Sequence, residues 1–254
     1  MDWGRAKNVL IYAFLLLNLV LGYQLWNDYR EQQGASLGID SLSESTQRAM
    51  EEKNIQVLTS VPAETPSLPK ISYRYTEKVP SKPIELEVPA DSKLIFAPSD
   101  LKSALQNEIP NIGDYSYDAF AGSNEDDLFT LHPLFDQQWP LFNAKLDLFY
   151  TDQKITSYLG APVDIQDAGG ETQVLPAQKA LGTLVENYLP EGSVVKEITL
   201  GFYGQTFDSE TQVAAPVWRF TVENDDLSAY SVYYVQGGNG DVISPSSSER
   251  KGDQ

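Results

Sequence analysis

The chain has no cysteine in its 254 residues, which excludes a disulfide framework, thiol catalysis and a lipoprotein attachment thiol. Its single histidine is His132, so nucleophile–base chemistry near neutral pH rests on one candidate. That candidate lies in the strand-like Leu128-Phe-Thr-Leu-His-Pro-Leu-Phe, where a paired or half-exposed structural histidine competes with a catalytic base. There is no glycine-rich phosphate loop, no His/Cys metal cluster and no Gly-x-Ser-x-Gly. Glu125-Asp126-Asp127 lacks the spaced oxygen ligands and closing glutamate of a calcium loop, and reads as a solvated hairpin turn. No catalytic, cofactor-binding or metal-ligating residue is nominated, and the chain reads as non-enzymatic.

Positive charge is also scarce. There are 36 acidic residues against 18 basic ones. Setting aside Asp2, Arg5 and Lys7 leaves 35 and 16 on the rest of the chain, a net charge of −19. Phosphate backbones and anionic headgroups repel such a surface within a Debye length of about 8 Å, so nucleic acid is not a partner.

What is present begins with residues 8–27, twenty in a row without a charged side chain. At about 1.5 Å per residue this helix covers roughly 30 Å, the thickness of a bilayer's hydrocarbon core. Arg5 and Lys7 precede it, which keeps residues 1–7 in the cytoplasm and sends the remainder outside. A cleaved signal peptide is the rival reading, but Leu21-Gly-Tyr-Gln-Leu-Trp26 offers no small-x-small cleavage site. Trp3, Tyr23 and Trp26 bracket the run where aromatic rings favour the interface. Asn18 lies at the middle of the span, where an amide gains about 0.6–2 kcal/mol from a bond to another helix. Gly22 is one turn along on the same face, and Leu15 and Leu25 continue the stripe. Leu15, Asn18, Gly22 and Leu25 are therefore the candidate partner-binding residues; a tolerated polar residue in a plain anchor is the competing reading.

Residues 28–40 read as a flexible stalk, its middle, Gln32-Gln-Gly-Ala-Ser-Leu-Gly38, being small and polar. Within 41–98, Ser41 and Glu44 suggest a capping box opening a helix to about Lys53. A strand from Ile55, an irregular connector through the prolines at 62, 66 and 69, and alternating strands at Ile71-x-Tyr73-x-Tyr75 and Ile84-x-Leu86-x-Val88 follow. Residues 99–168 read as a first α+β unit, with a helix from Asp100 to Glu108 (Leu101, Ala104 and Leu105 on one face) and strands at 114–121, 127–135, 141–151 and 154–166. Residues 169–244 read as a second. Pro176 opens a helix with Ala180, Leu181, Leu184, Val185, Tyr188 and Leu189 on one stripe, then strands at 194–203, 211–223, 229–236 and 241–243 form a meander with a turn at Gly237-Gly-Asn-Gly240. The tail, 245–254, is read as disordered. The expected fold class is α+β: a transmembrane helix, then antiparallel sheets with helices on one face, in two similar α-β-β-β-β units. Tyr73 with Tyr75 and Tyr115 with Tyr117 share strand faces, as core, interaction surface or sugar platform.

Met1-Asp-Trp3 with Arg5 and Lys7, the span Phe14-Leu-Leu-Leu-Asn18-Leu-Val-Leu-Gly22-Tyr-Gln24, and Pro216-Val-Trp-Arg219 with Tyr233-Tyr-Val235 and Gly240 resemble the YycI (WalI) family. The chain departs from that pattern at Gln236-Gly237, where Asn-Ala is expected, and in its tail. The resemblance implies a membrane-anchored regulator of Gram-positive bacteria, with no cofactor and no small-molecule substrate. Its implied partners are the sensor histidine kinase YycG (WalK), which controls cell-wall metabolism, and a second single-pass protein, YycH (WalH). The competing classes are an exported cell-wall glycan binder or hydrolase and a PepSY-like protease inhibitor.

Overall fold

The computed structural model describes residues 12, 14–18, 20–21, 42–121, 127–224 and 230–243. Among the described residues from 42 to 243 the fold is α+β, with thirteen strands in two sheets and three α-helices on their faces. The tail 245–254 and the stalk 28–40 lie outside the described residues.

Helix α1 (Glu44–Glu52) is capped by Ser43, whose Oγ accepts from the Thr46 N–H at 3.2 Å. The expected cap, Ser41, lies outside the described residues; starting the helix two residues later buries Leu42 in the core beside Met50. Helix α2 (Pro98–Leu105) starts and stops earlier than the spacing predicts, with Pro98 in its first turn. Leu101 and Leu105 are buried one turn apart, while Ala104 is exposed. Helix α3 (Ala177–Asn187) has Pro176 as its N-cap rather than its first residue, and buries Ala180, Leu181, Leu184 and Val185 of the expected stripe; the helix ends before Tyr188 and Leu189, so Leu189 is still buried but Tyr188, the C-cap, is exposed.

The larger sheet runs β1 (Gln56–Val57), β10 (Val194–Tyr203), β11 (Gln212–Glu223), β12 (Tyr230–Gln236), β13 (Val242–Ile243). β2 (Ser67–Tyr75) joins the start of β11, and β9 (Val163–Gln173) pairs outside β2. Only β1 with β10 is parallel among the named pairs. The smaller sheet runs β3 (Ile84–Asp91), β8 (Lys154–Leu159), β7 (Leu146–Thr151), β5 (Leu128–Phe135), β4 (Tyr115–Asp118), with β6 (Trp139–Pro140) on β5.

Two expectations are corrected here. Pro69 lies within β2 rather than in a connector; the ladder shifts from Leu68↔Thr172 to Lys70↔Gly169 at that point, so the missing N–H falls at a bulge. Gly169 and Gly170, at φ +79° and +74°, supply the turned backbone opposite. Residue 168, the expected division between two units, falls inside β9, and the two sheets exchange strands across it: β3 comes to the smaller sheet from before residue 99, and β9 leaves to join β2.

Alternation in β11 places Trp218, Phe220 and Val222 in one core with Leu181, Leu184 and Phe202, under α1 and α3. Val217 and Arg219 point the other way, toward Phe142 and Asp118. The smaller sheet presents Leu131, Leu146, Leu148 and Ile155 to α2 in a second core. Its opposite face carries buried Asp118, Thr130, His132 and Asp147. The layers are therefore helix, sheet, sheet, helix, with a polar seam between the sheets. In β3 the ladder lapses between Glu85 and Ala90, where the Glu87 and Val88 N–H groups donate instead to the Glu108 carboxylate at 2.6 and 3.2 Å. Leu86 is buried but Val88 is 70% exposed, so the alternation marks the strand without giving its buried face.

Candidate functional site

Of the four candidate partner-binding residues, Leu15 and Asn18 lie in a helical segment, three positions apart on one side, and both are exposed. Tyr12, Phe14, Leu16, Leu17, Val20 and Leu21 of the same segment are exposed too. Gly22 and Leu25 lie outside the described residues. Among the described residues no helix is long and apolar enough to cross a membrane.

The densest chemistry is in the seam. β4 ends at Asp118 and β5 carries His132, and antiparallel pairing sets them on one face. His132 Nε2 lies 3.1 Å from Asp118 Oδ2, and its Nδ1 lies 2.8 Å from the Ala144 carbonyl, so both ring nitrogens meet acceptors. From the other sheet, Arg219 donates through Nη1 to the same Asp118 oxygen and through Nη2 to Glu197 Oε2 at 2.7 Å. Its guanidinium sits 4.4 Å above the Phe142 ring, and its Nε has no hydrogen-bond partner among the described residues.

Burial pushes the Asp118 carboxyl upward, but the His132 hydrogen bond and the Arg219 charge outweigh it and hold the group well below the usual carboxylate range. Burial works against the Arg219 cation as well, and the Asp118 and Glu197 charges more than offset it. Thr130 donates to Asp147 at 2.8 Å, and Lys145 pairs with the same carboxylate at 2.9 Å. The His132, Asp118 and Arg219 side chains are each more than nine-tenths buried, so the cluster ties one sheet to the other and is not presented to a substrate. Sequence reasoning placed His132 as a paired or half-exposed structural residue, of which the structure shows the paired and buried form, and singled out neither Asp118 nor Glu197. The signal lay in Arg219, a charge inside the apolar run Pro216-Val-Trp-Arg-Phe-Thr-Val.

Among the surface grooves, two bear on the residues singled out above. One, about 390 Å³, lies between α1 and α3 and is lined by Ser43, Thr46, Lys179, Gly182 and Glu186. There Ser45 and Thr46 donate to Glu186 Oε1, each at 2.9 Å, so an α3 carboxylate faces the N-terminus of α1. The second, about 910 Å³, lies between the end of β2 and the 204–211 loop, with Tyr73, Arg74, Tyr75, Lys78, Asn143 and Gln212 on its walls. Tyr73 is buried and its phenol is pushed up to about 12; Tyr75 is partly exposed. Tyr115 and Tyr117 are half-buried, and burial pushes the Tyr115 phenol to about 12 as well. Among the described residues, no group of three His, Asp or Glu side chains is placed to hold a metal ion. The Asp127 end of the acidic run is described; residues 125 and 126 are not.

A family model described as YycI protein matches residues 76–237, from the turn after β2 to the end of β12. No curated protein matches the chain.

Proposed function

The chain belongs to the YycI family, and we propose that it is a non-enzymatic, membrane-anchored accessory that regulates the sensor histidine kinase of the YycG (WalK) system together with a YycH (WalH) protein. The family match, over 162 of 254 residues, is the observation that carries the reading. The seam supports it, since the one histidine is sealed between two sheets. The exposed apolar helical segment supports the anchor, and Arg5 and Lys7 before it favour a cytoplasmic N-terminus and an extracytoplasmic domain. Asn18, with Leu15, Gly22 and Leu25, seats the helix against a helix of the kinase or of the YycH protein, while the exported sheets contact the partner's sensor region.

Such a protein changes kinase output only by binding one signalling state more tightly than the other, and a coupling of about 1–3 kcal/mol shifts the balance some 5- to 150-fold. Affinity purification of the full-length chain from detergent-solubilised membranes tests the reading. The kinase and the YycH protein are expected in the eluate; an eluate lacking both sinks it.

A further inference from the structure

β9 is an outer strand of the larger sheet: β2 pairs with it on one side, and among the described residues no strand pairs with it on the other. The parity of an antiparallel ladder fixes which of its backbone groups are free. The Thr76 N–H donates to the Pro162 carbonyl, so 76 and 162 form a hydrogen-bonded pair. Counting on from there along the unbroken register Tyr75↔Val163 to Ile71↔Asp167, Asp164 and Gln166 bond to β2, whereas the N–H and C=O groups of Val163, Ile165 and Asp167 turn outward. The shifts around Lys70 and the turned backbone at Gly169 and Gly170 break up the far half of this edge. Its near half, 163–167, keeps the regular geometry that a further strand can join.

That half borders a groove of about 370 Å³, lined from the larger sheet by Val163, Asp164 and Ile165 and from the smaller by Tyr115, Pro133 and Leu134. The charged residues on its walls are Asp114, Asp136 and Asp164, with no lysine or arginine among them. Asp164 is matched by Arg74 at 3.3 Å. Asp114 accepts from the neutral Gln137 amide at 2.8 Å, and among the described residues neither it nor the exposed Asp136 has a cation in salt-bridge reach. Two carboxylates without a counter-charge thus stand beside a strand edge with free donors and acceptors.

We infer that this groove docks an extended, basic segment of another exported protein, which adds a strand to β9 and sets its cationic side chains against Asp114 and Asp136. The chain's own segments do not match: residues 22–41 carry Asp28, Glu31 and Asp40 against Arg30, and residues 244–254 carry Glu249 and Asp253 against Arg250 and Lys251. A second copy joined through its own β9 would bring the same aspartates together, and like charges across a strand pair are destabilising. The inference rests on the regulatory reading above, which calls for an extracytoplasmic protein contact.

The test uses the full-length chain in detergent micelles, with the YycH protein and the kinase as probes. Site-resolved amide exchange at Val163 and Ile165 should be faster than at Asp164 and Gln166 in the free chain, and should slow about ten-fold or more when a probe binds. Asp114→Lys with Asp136→Lys should raise the dissociation constant about ten-fold at low salt and flatten its salt dependence. Glu51→Lys with Glu52→Lys makes the same change of charge on exposed positions of α1 and should do neither. Ile165→Pro removes an outward N–H without taking a bond from the β2 ladder, and should weaken binding as well. Ile165 packs against the core, so thermal midpoints check the fold, and the aspartate pair carries the test if the proline variant unfolds. If the parent binds a probe with no change at the Val163 and Ile165 amides, and the aspartate pair binds as the parent does, the groove assignment is wrong and the regulatory reading stands. A parent that binds neither probe overturns both. Self-association of the parent that protects the same two amides would overturn the basic occupant in favour of a second copy.

Discussion

Asp118 shows how much one buried carboxylate can hold. It receives His132 from its own sheet and Arg219 from the other, so Asp118→Ala leaves the guanidinium buried with Glu197 as its remaining anion. Breaking such a pair costs about 3–5 kcal/mol, and at roughly 2–4 °C per kcal/mol the thermal midpoint should fall by about 10 °C. A drop under 2 °C would mean that the seam is held by packing alone. The acid response has a definite sign. The folded-state value is depressed, so the stability Asp118 contributes is present above the ordinary carboxylate range, near pH 4, and is lost as pH falls below it. Urea midpoints should therefore fall between pH 4 and 2 more steeply in the parent than in Asp118→Asn. In the N-terminal segment, Asn18→Leu should leave export intact while weakening association with the kinase or the YycH protein by about 1 kcal/mol, roughly five-fold. A quantitative membrane two-hybrid assay reads this, with Leu17→Ala as control. If Asn18→Leu and Gly22→Leu both associate as the parent does while an anchored chain lacking residues 40–244 does not, recognition lies in those later residues.

At the scale of elements, polar contacts join both ends of α1 to the C-terminal end of α3. Glu186 meets Ser45 and Thr46 at one end, and Lys53 Nζ donates to the carbonyls of Val185, Glu186 and Leu189 at 2.7, 3.2 and 3.3 Å at the other. The last carbonyls of a helix have no partner within it, so this ammonium caps α3. Lys53→Met should cost about 1–2 kcal/mol and speed amide exchange in residues 184–189; unchanged exchange would show that the cap is replaced by water. Gly182 makes the approach possible, since a Cβ there would lie 2.9 Å from Thr46 Oγ1. The α3 stripe was legible because its period is local, and β10 falls where the alternation puts it, at Val194–Tyr203. The end of α1 at Lys53 was legible too, but its start was not: Ser43 is the cap, and Leu42 before it is buried in the core.

For the whole molecule, the strands of both sheets and the helices on their faces lie between residues 42 and 243. A fragment spanning them should fold alone, with a thermal midpoint insensitive to reductant and to chelator; a clear fall with chelator would reveal a metal site. With no cysteine in the chain, oxidation has no thiol to act on.

Composition and period, which are properties of neighbouring residues, determined the strand and helix types, the α+β class, the acidic surface, the uncharged N-terminal run and the absence of thiol chemistry. Pairing across the chain was decided only by the tertiary structure. β2 meets β9 about a hundred residues away, Ser67↔Gln173, and β9 is polar and exposed through its middle, so no apolar pattern announced its partner. Arg219, Asp118 and Glu197 come from three strands in two sheets, and none is informative alone. A buried charge is tolerable only where its counter-charges converge, and that convergence exists only once the two sheets have packed.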